Sequence, residues 1–98
     1  MKYYYNGKLV RTSKHEYKYG LLNTLGGIRA CSKSKENLLK EKNRELRFCE
    51  RQIAYFKKHL GGKQEVTGLT NEELLEDYIK SLEKIKAWQI VELEAREN

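Results

Sequence analysis

The sequence predicts an α+β fold: an antiparallel β-meander of three or four strands over residues 1–33, then a long antiparallel two-helix hairpin. Three observations predict it. The opening Met1–Thr12 is rich in strand-favouring Tyr, Val and Thr around an Asn6-Gly7 turn signal. Residues 34–60 carry apolar side chains at helical spacing without a proline. Thr70-Asn71-Glu72-Glu73 has the pattern of a helix-starting capping box.

Taken in order, Asn6 and Gly7 supply the two positive-φ residues of a type I′ turn, which makes the opening a hairpin. Ser13 to Glu16 breaks the alternation, Tyr17 to Asn23 reads as a third strand, and Thr24 to Gly27 as the next turn. Ile28 to Ser32 reads as a fourth, short strand, and brief connections favour pairing between sequence neighbours.

The first helix, 34–60, has Ser34 as its N-cap, Glu36 in the first turn and Gly61-Gly62 as the stop. Its apolar row is Leu39, Leu46, Cys49, Ile53, Phe56 and Leu60, interrupted by Lys42. A second row, Phe48, Gln52, Tyr55 and His59, is expected to cover the sheet, and a third carries Lys40, Arg44, Arg47, Arg51 and Lys58. Residues 61–69 form the connection, with Leu69 and Leu74 placed as a hydrophobic staple. The second helix runs over 70–96, with Leu75, Tyr78, Ile79, Leu82, Ile85 and Leu93 on one face. Trp88, Val91 and Ala95 form a further apolar stripe opposite Leu82, read as an oligomer interface.

The 98 residues suit one domain, small enough for oligomerisation to be a natural supplement to its core. The net charge of +6 is unevenly spread. Residues 1–28 carry five basic and one acidic residue, 29–63 eleven and four, and 64–98 four and nine. The basic first two-thirds point to an anionic partner, or else to a basic first helix lying beside an acidic second one. No apolar run approaches a membrane span and no signal-like segment opens the chain, so a cytoplasmic, reduced protein is expected. Cys31, Cys49, His15 and His59 lack the short paired spacing of a zinc site, and buried free thiols are expected; no metal or cofactor is implied.

Catalytic constellations are mostly missing. Ser13 and His15 have no carboxylate orienter or oxyanion turn, and Gly61-Gly62-Lys63 lacks the rest of a phosphate-binding loop. Binding chemistry is better represented. Tyrosines including Tyr17 and Tyr19 are interleaved with cations including Arg11, a combination that can stack bases and neutralise phosphate, although tyrosine is also simply a good strand residue. Arg44, Arg47 and Arg51 share one helical edge, and guanidinium forks suit phosphate; the competing reading is a solvated face balanced by Glu41, Glu45 and Glu50.

The opening Met1–Ser13 and the ending Trp88–Glu94 look like those of small proteins encoded by phages and other mobile elements. The sheet-then-two-helices layout resembles the Thoeris anti-defence sponge family. That resemblance implies a non-enzymatic oligomer, acting in the host cytoplasm, that sequesters a cyclic ADP-ribose signal or a cyclic oligonucleotide. No motif of that family carries a binding residue onto this chain. The anti-CRISPR inhibitors are the alternative class, with a host nucleoprotein complex as partner, and plain nucleic-acid binding is the third. The expectation is therefore a homo-oligomer that takes an anionic nucleotide with Arg44, Arg47 and Arg51 on phosphate and Arg11, Tyr17 and Tyr19 at the sheet.

Overall fold

A computed structural model describes residues 1–62 and 68–97. It has six strands in two antiparallel sheets and two helices, in the order β1 (Lys2–Tyr5), β2 (Lys8–Thr12), β3 (Tyr19–Leu22), β4 (Ile28–Ser32), α1 (Lys35–Lys58), α2 (Asn71–Lys86), β5 (Gln89–Glu92) and β6 (Glu94–Arg96). The α+β class holds, as does the helical hairpin. The middle of its expected connection, 63–67, lies outside the described residues.

Both hairpins form where local turn chemistry demands. Asn6 and Gly7 have φ of 50° and 78°, the left-handed values that match the twist of paired strands. The expected single meander does not form. β2 and β3 are not paired; the strand orders are β2-β1-β6 and β4-β3-β5. Each hairpin takes its third strand from the end of the chain, with Tyr3 opposite Ala95 and Gly20 opposite Val91. Between β5 and β6 the chain changes sheet at Leu93, whose N–H donates to the Lys18 carbonyl at 2.9 Å. Gly20 is buried there, and a Cβ on it would lie 3.0–3.2 Å from Ile28 and Leu93 side-chain carbons. The missing side chain lets both residues close over the strand.

The expected second helix of 70–96 therefore ends ten residues early, at Lys86. Its beginning is as read: Thr70 Oγ1 accepts from the Glu73 N–H at 3.2 Å, and Glu73 returns the bond to Thr70. At the start of α1, Ser34 occupies the N-cap position, but its hydroxyl accepts no capping bond. Ser32 Oγ instead accepts from the Ser34 N–H at 3.1 Å.

α1 packs on α2 and on the β4-β3-β5 sheet. Cys49 and Phe56 of the expected row are buried, and Leu46 and Ile53 are half-buried, but its ends, Leu39 and Leu60, are 48% and 57% exposed, and Leu38 takes the inward place expected of Leu39. Lys42 belongs to the inward row rather than interrupting it. Its ammonium donates to the carbonyls of Lys86 and Trp88 at 3.0 and 2.9 Å, closing the end of α2. Tyr78 of α2 stacks on Phe56 and meets Phe48 edge-on. Of the row expected to cover the sheet, Phe48 thus meets α2 instead, and Tyr55 is 49% exposed. Ile79, expected inside, is 42% exposed.

The molecule is a rod, 56 × 23 × 20 Å. Its radius of gyration is 17.4 Å, against about 13 Å for a compact domain of this length. The helical hairpin extends from the strands and gives α1 a long outward face. No helix among the described residues is long and apolar enough to cross a membrane.

Candidate functional site

The outward face of α1 holds the cations the sequence singled out. Lys40, Arg44, Arg47 and Arg51 line one shallow groove of about 380 Å³. At about 100° per residue they point away from Leu38, Cys49 and Phe56, because those three face the core. The positive row is therefore outward by the same periodicity that makes the opposite row apolar.

The counter-charges do not reach it. Glu41 lies 3.5 Å from Arg44, an exposed neighbouring-turn pair of little energetic weight. Glu45 pairs instead with Arg29 at 3.1 Å. Lys40, Arg47 and Arg51 have no carboxylate at ion-pair distance among the described residues. The acidic residues of α2 are used locally: Glu76 on Lys80, Glu83 on Lys86, and Glu72 accepting from the Gly61 N–H. No ion pair among the described residues joins α1 to α2. The basic helix lies beside the acidic one, but their charged faces turn outward separately.

The tyrosines lie elsewhere and their faces are already occupied. The Arg11 guanidinium sits 5.5 Å from the Tyr17 ring centre, and Tyr17 meets the buried Tyr3 edge-on at 5.3 Å. Tyr19 has the ammonium groups of Lys18 and Lys35 at 5.5 and 5.2 Å. These rings hold their own cations. Tyr17 lines a different hollow, with Met1, Tyr3, Lys18 and Lys33, apart from the groove of the arginines. Arg11, Tyr17 and Tyr19 are thus not brought together with Arg44, Arg47 and Arg51 within one subunit.

Trp88, Val91 and Ala95 do not form a helical stripe. Trp88 follows the end of α2, Val91 lies in β5 and Ala95 in β6. The stripe is consequently no argument for a subunit contact there. Trp88 is half-buried beside Arg29, whose guanidinium lies 4.8 Å from its ring centre. Arg29 is the extra residue of a β-bulge opposite Leu21 and Leu22, and such bulges re-aim side chains. With Phe48, Cys49 and Tyr78 these residues line a cleft of about 390 Å³ between the β3–β4 turn and the helices.

Sequence reasoning gave Arg29 no role, because a bulge depends on the partner strand. It also missed the exposure of Tyr55, which is 49% exposed and stacked on His59. The spacing of Arg47, Arg51, Tyr55 and His59, each four residues after the last, held that signal.

Cys31 and Cys49 are free thiols, and burial raises the pKa of both above the ordinary cysteine value. The negative charge of Glu45 adds to the effect at Cys49, whereas Arg11 partly offsets it at Cys31. Both stay protonated near neutrality, the opposite of an activated nucleophile. Among the described residues no three His, Cys, Asp or Glu side chains converge as metal ligands. Comparison with protein-family models, curated proteins and solved structures finds no match to this chain.

Proposed function

We propose that this protein is a non-enzymatic binder of a nucleotide polyanion, which lies along the outward edge of α1 on Lys40, Arg44, Arg47 and Arg51. One observation carries the reading: among the described residues, three of these four cations lack a carboxylate partner on a helix beside an acidic neighbour. Exposed cations arranged in a line suit a chain of phosphates, each contact releasing condensed counterions. The open shape of the groove and its distance from the tyrosine cluster favour an extended backbone over a closed small ligand.

In the counter-defence setting that the sequence resemblance implies, such an edge would hold the guide RNA or a displaced strand of an RNA-guided nuclease, the polyanion that the nuclease's own positively charged channel otherwise takes. Sequestration of a cyclic nucleotide is the second reading, and it needs another copy of the chain to close the site. The exposure of Arg44, Arg47 and Arg51 supports it, because the edge is open to a facing copy among the described residues.

The test is fluorescence anisotropy with a labelled oligonucleotide across a salt series. Wild type should bind with a steep salt dependence, and Arg44→Glu/Arg47→Glu/Arg51→Glu should abolish binding at physiological salt. Arg44→Gln/Arg47→Gln/Arg51→Gln should reduce the log–log salt slope by about 2, from roughly 0.7 per phosphate contact on a single strand. Silence toward oligonucleotides, with calorimetric heat from a cyclic ADP-ribose isomer and a dimer in native mass spectrometry, would replace this reading with the second.

A further inference from the structure

Resting on the polyanion reading above, we infer that the α1 edge selects unpaired nucleic-acid strands, whose bases stack on the Tyr55–His59 pair. Arg47, Arg51, Tyr55 and His59 occupy one continuous row, each a little more than one helical turn from the last. The row begins with two guanidinium groups for phosphate and ends with two rings for bases.

The rings are preassembled. Tyr55 and His59 lie with centroids 4.3 Å apart and planes 24° from parallel. Tyr55 also meets Phe56 edge-on at 5.1 Å, and Phe56 is buried. His59 Nδ1 lies 2.7 Å from the Tyr55 carbonyl oxygen. A carbonyl can only accept, so Nδ1 carries the proton and donates. The imidazole is thereby oriented by backbone and ring together. Yet Tyr55 remains 49% exposed, leaving aromatic surface on the outside of the rod. Unlike Tyr17 and Tyr19, it carries no cation of its own chain over its ring among the described residues.

A duplex cannot use such a platform. Its bases are stacked on one another and present only their edges in the grooves. Unpaired bases have free faces, and aromatic side chains beside a cationic track are the usual means of holding them.

The experiment is competition binding by the full chain at physiological salt, using oligo(dT), oligo(U) and a duplex of equal length. The strands should bind at least about ten times more tightly than the duplex. Tyr55→Ala should weaken strand binding about tenfold and leave duplex binding unchanged. Tyr55→Phe should restore it, and circular dichroism melting would verify that both variants fold. The two oligomers separate DNA from RNA, and preference for either supports the inference. Equal affinity for strand and duplex, or a silent Tyr55→Ala, would overturn it while leaving the cationic edge intact. Loss of duplex and strand binding together in Tyr55→Ala would also overturn it. No binding to any probe would instead remove the polyanion reading beneath it.

Discussion

The ammonium of Lys42 donates to the main-chain oxygen of Trp88 at 2.9 Å, linking the first third of one helix to the chain just beyond the other. A second bond reaches Lys86 at 3.0 Å. These carbonyls stand where α2 ends and its own amide ladder no longer serves them. The lysine fixes the point at which helix gives way to strand, and so the approach of β5 to β3.

Lys42→Met keeps the aliphatic stem and removes the charge. It should cost about 1.5–3 kcal/mol in urea unfolding, the range for charge-assisted hydrogen bonds. Nucleotide affinity at the outer edge should be unchanged. A stability loss below about 0.5 kcal/mol would show that water serves these carbonyls equally well.

The register of α1 is tested by adjacent leucines. Leu38 is 2% exposed and Leu39 is 48% exposed. Leu38→Ala should cost about 2–5 kcal/mol, whereas Leu39→Ala should cost less than about 1 kcal/mol. The reverse order would place Leu39 in the core, as expected from sequence.

Helix starts give a second contrast. Thr70→Ala breaks a reciprocal cap and should destabilise by about 1 kcal/mol. Ser34→Ala removes a hydroxyl that caps nothing and should be near neutral in the same thermal melts.

The thiols provide the pH test. A pKa raised by folding means that the native state holds its proton more tightly than the unfolded chain does. The contribution of Cys49 to stability is thus complete below the ordinary thiol range and is lost as pH climbs through the raised value. Cys49→Ala should flatten the alkaline limb of the stability profile. At pH 8, native Cys49 should alkylate far more slowly than in urea, and more slowly than half-buried Cys31. Alkylation of native Cys49 at the free-thiol rate would contradict the burial.

Much of the fold is legible because it is local. Asn6-Gly7 and Thr70 to Glu73 specify their turn and cap within four residues, and Ile28–Ser32 forms the short strand expected there. The end of the chain is not legible in this way. Trp88, Val91 and Ala95 fit a helical period, but Ile90 and Val91 form a β-branched pair that accepts either structure. Pairing with Leu21 and Gly20 decides the matter, and no local window contains those residues. The candidate site divides similarly. The spacing of Arg44, Arg47 and Arg51 places them on one edge, but their separation from Tyr17 and Tyr19 depends on which face of α1 meets the sheet.

Tyr3 and Ala95 are partners although about ninety residues separate them. During synthesis neither β-layer can be completed until β5 and β6 have been made. The two hairpins wait with one edge open while the helical rod is made. Such distant closure slows folding. It also makes residues 89–96 a latch: removing them would unfasten both layers at once, while leaving every residue of the positive edge in place.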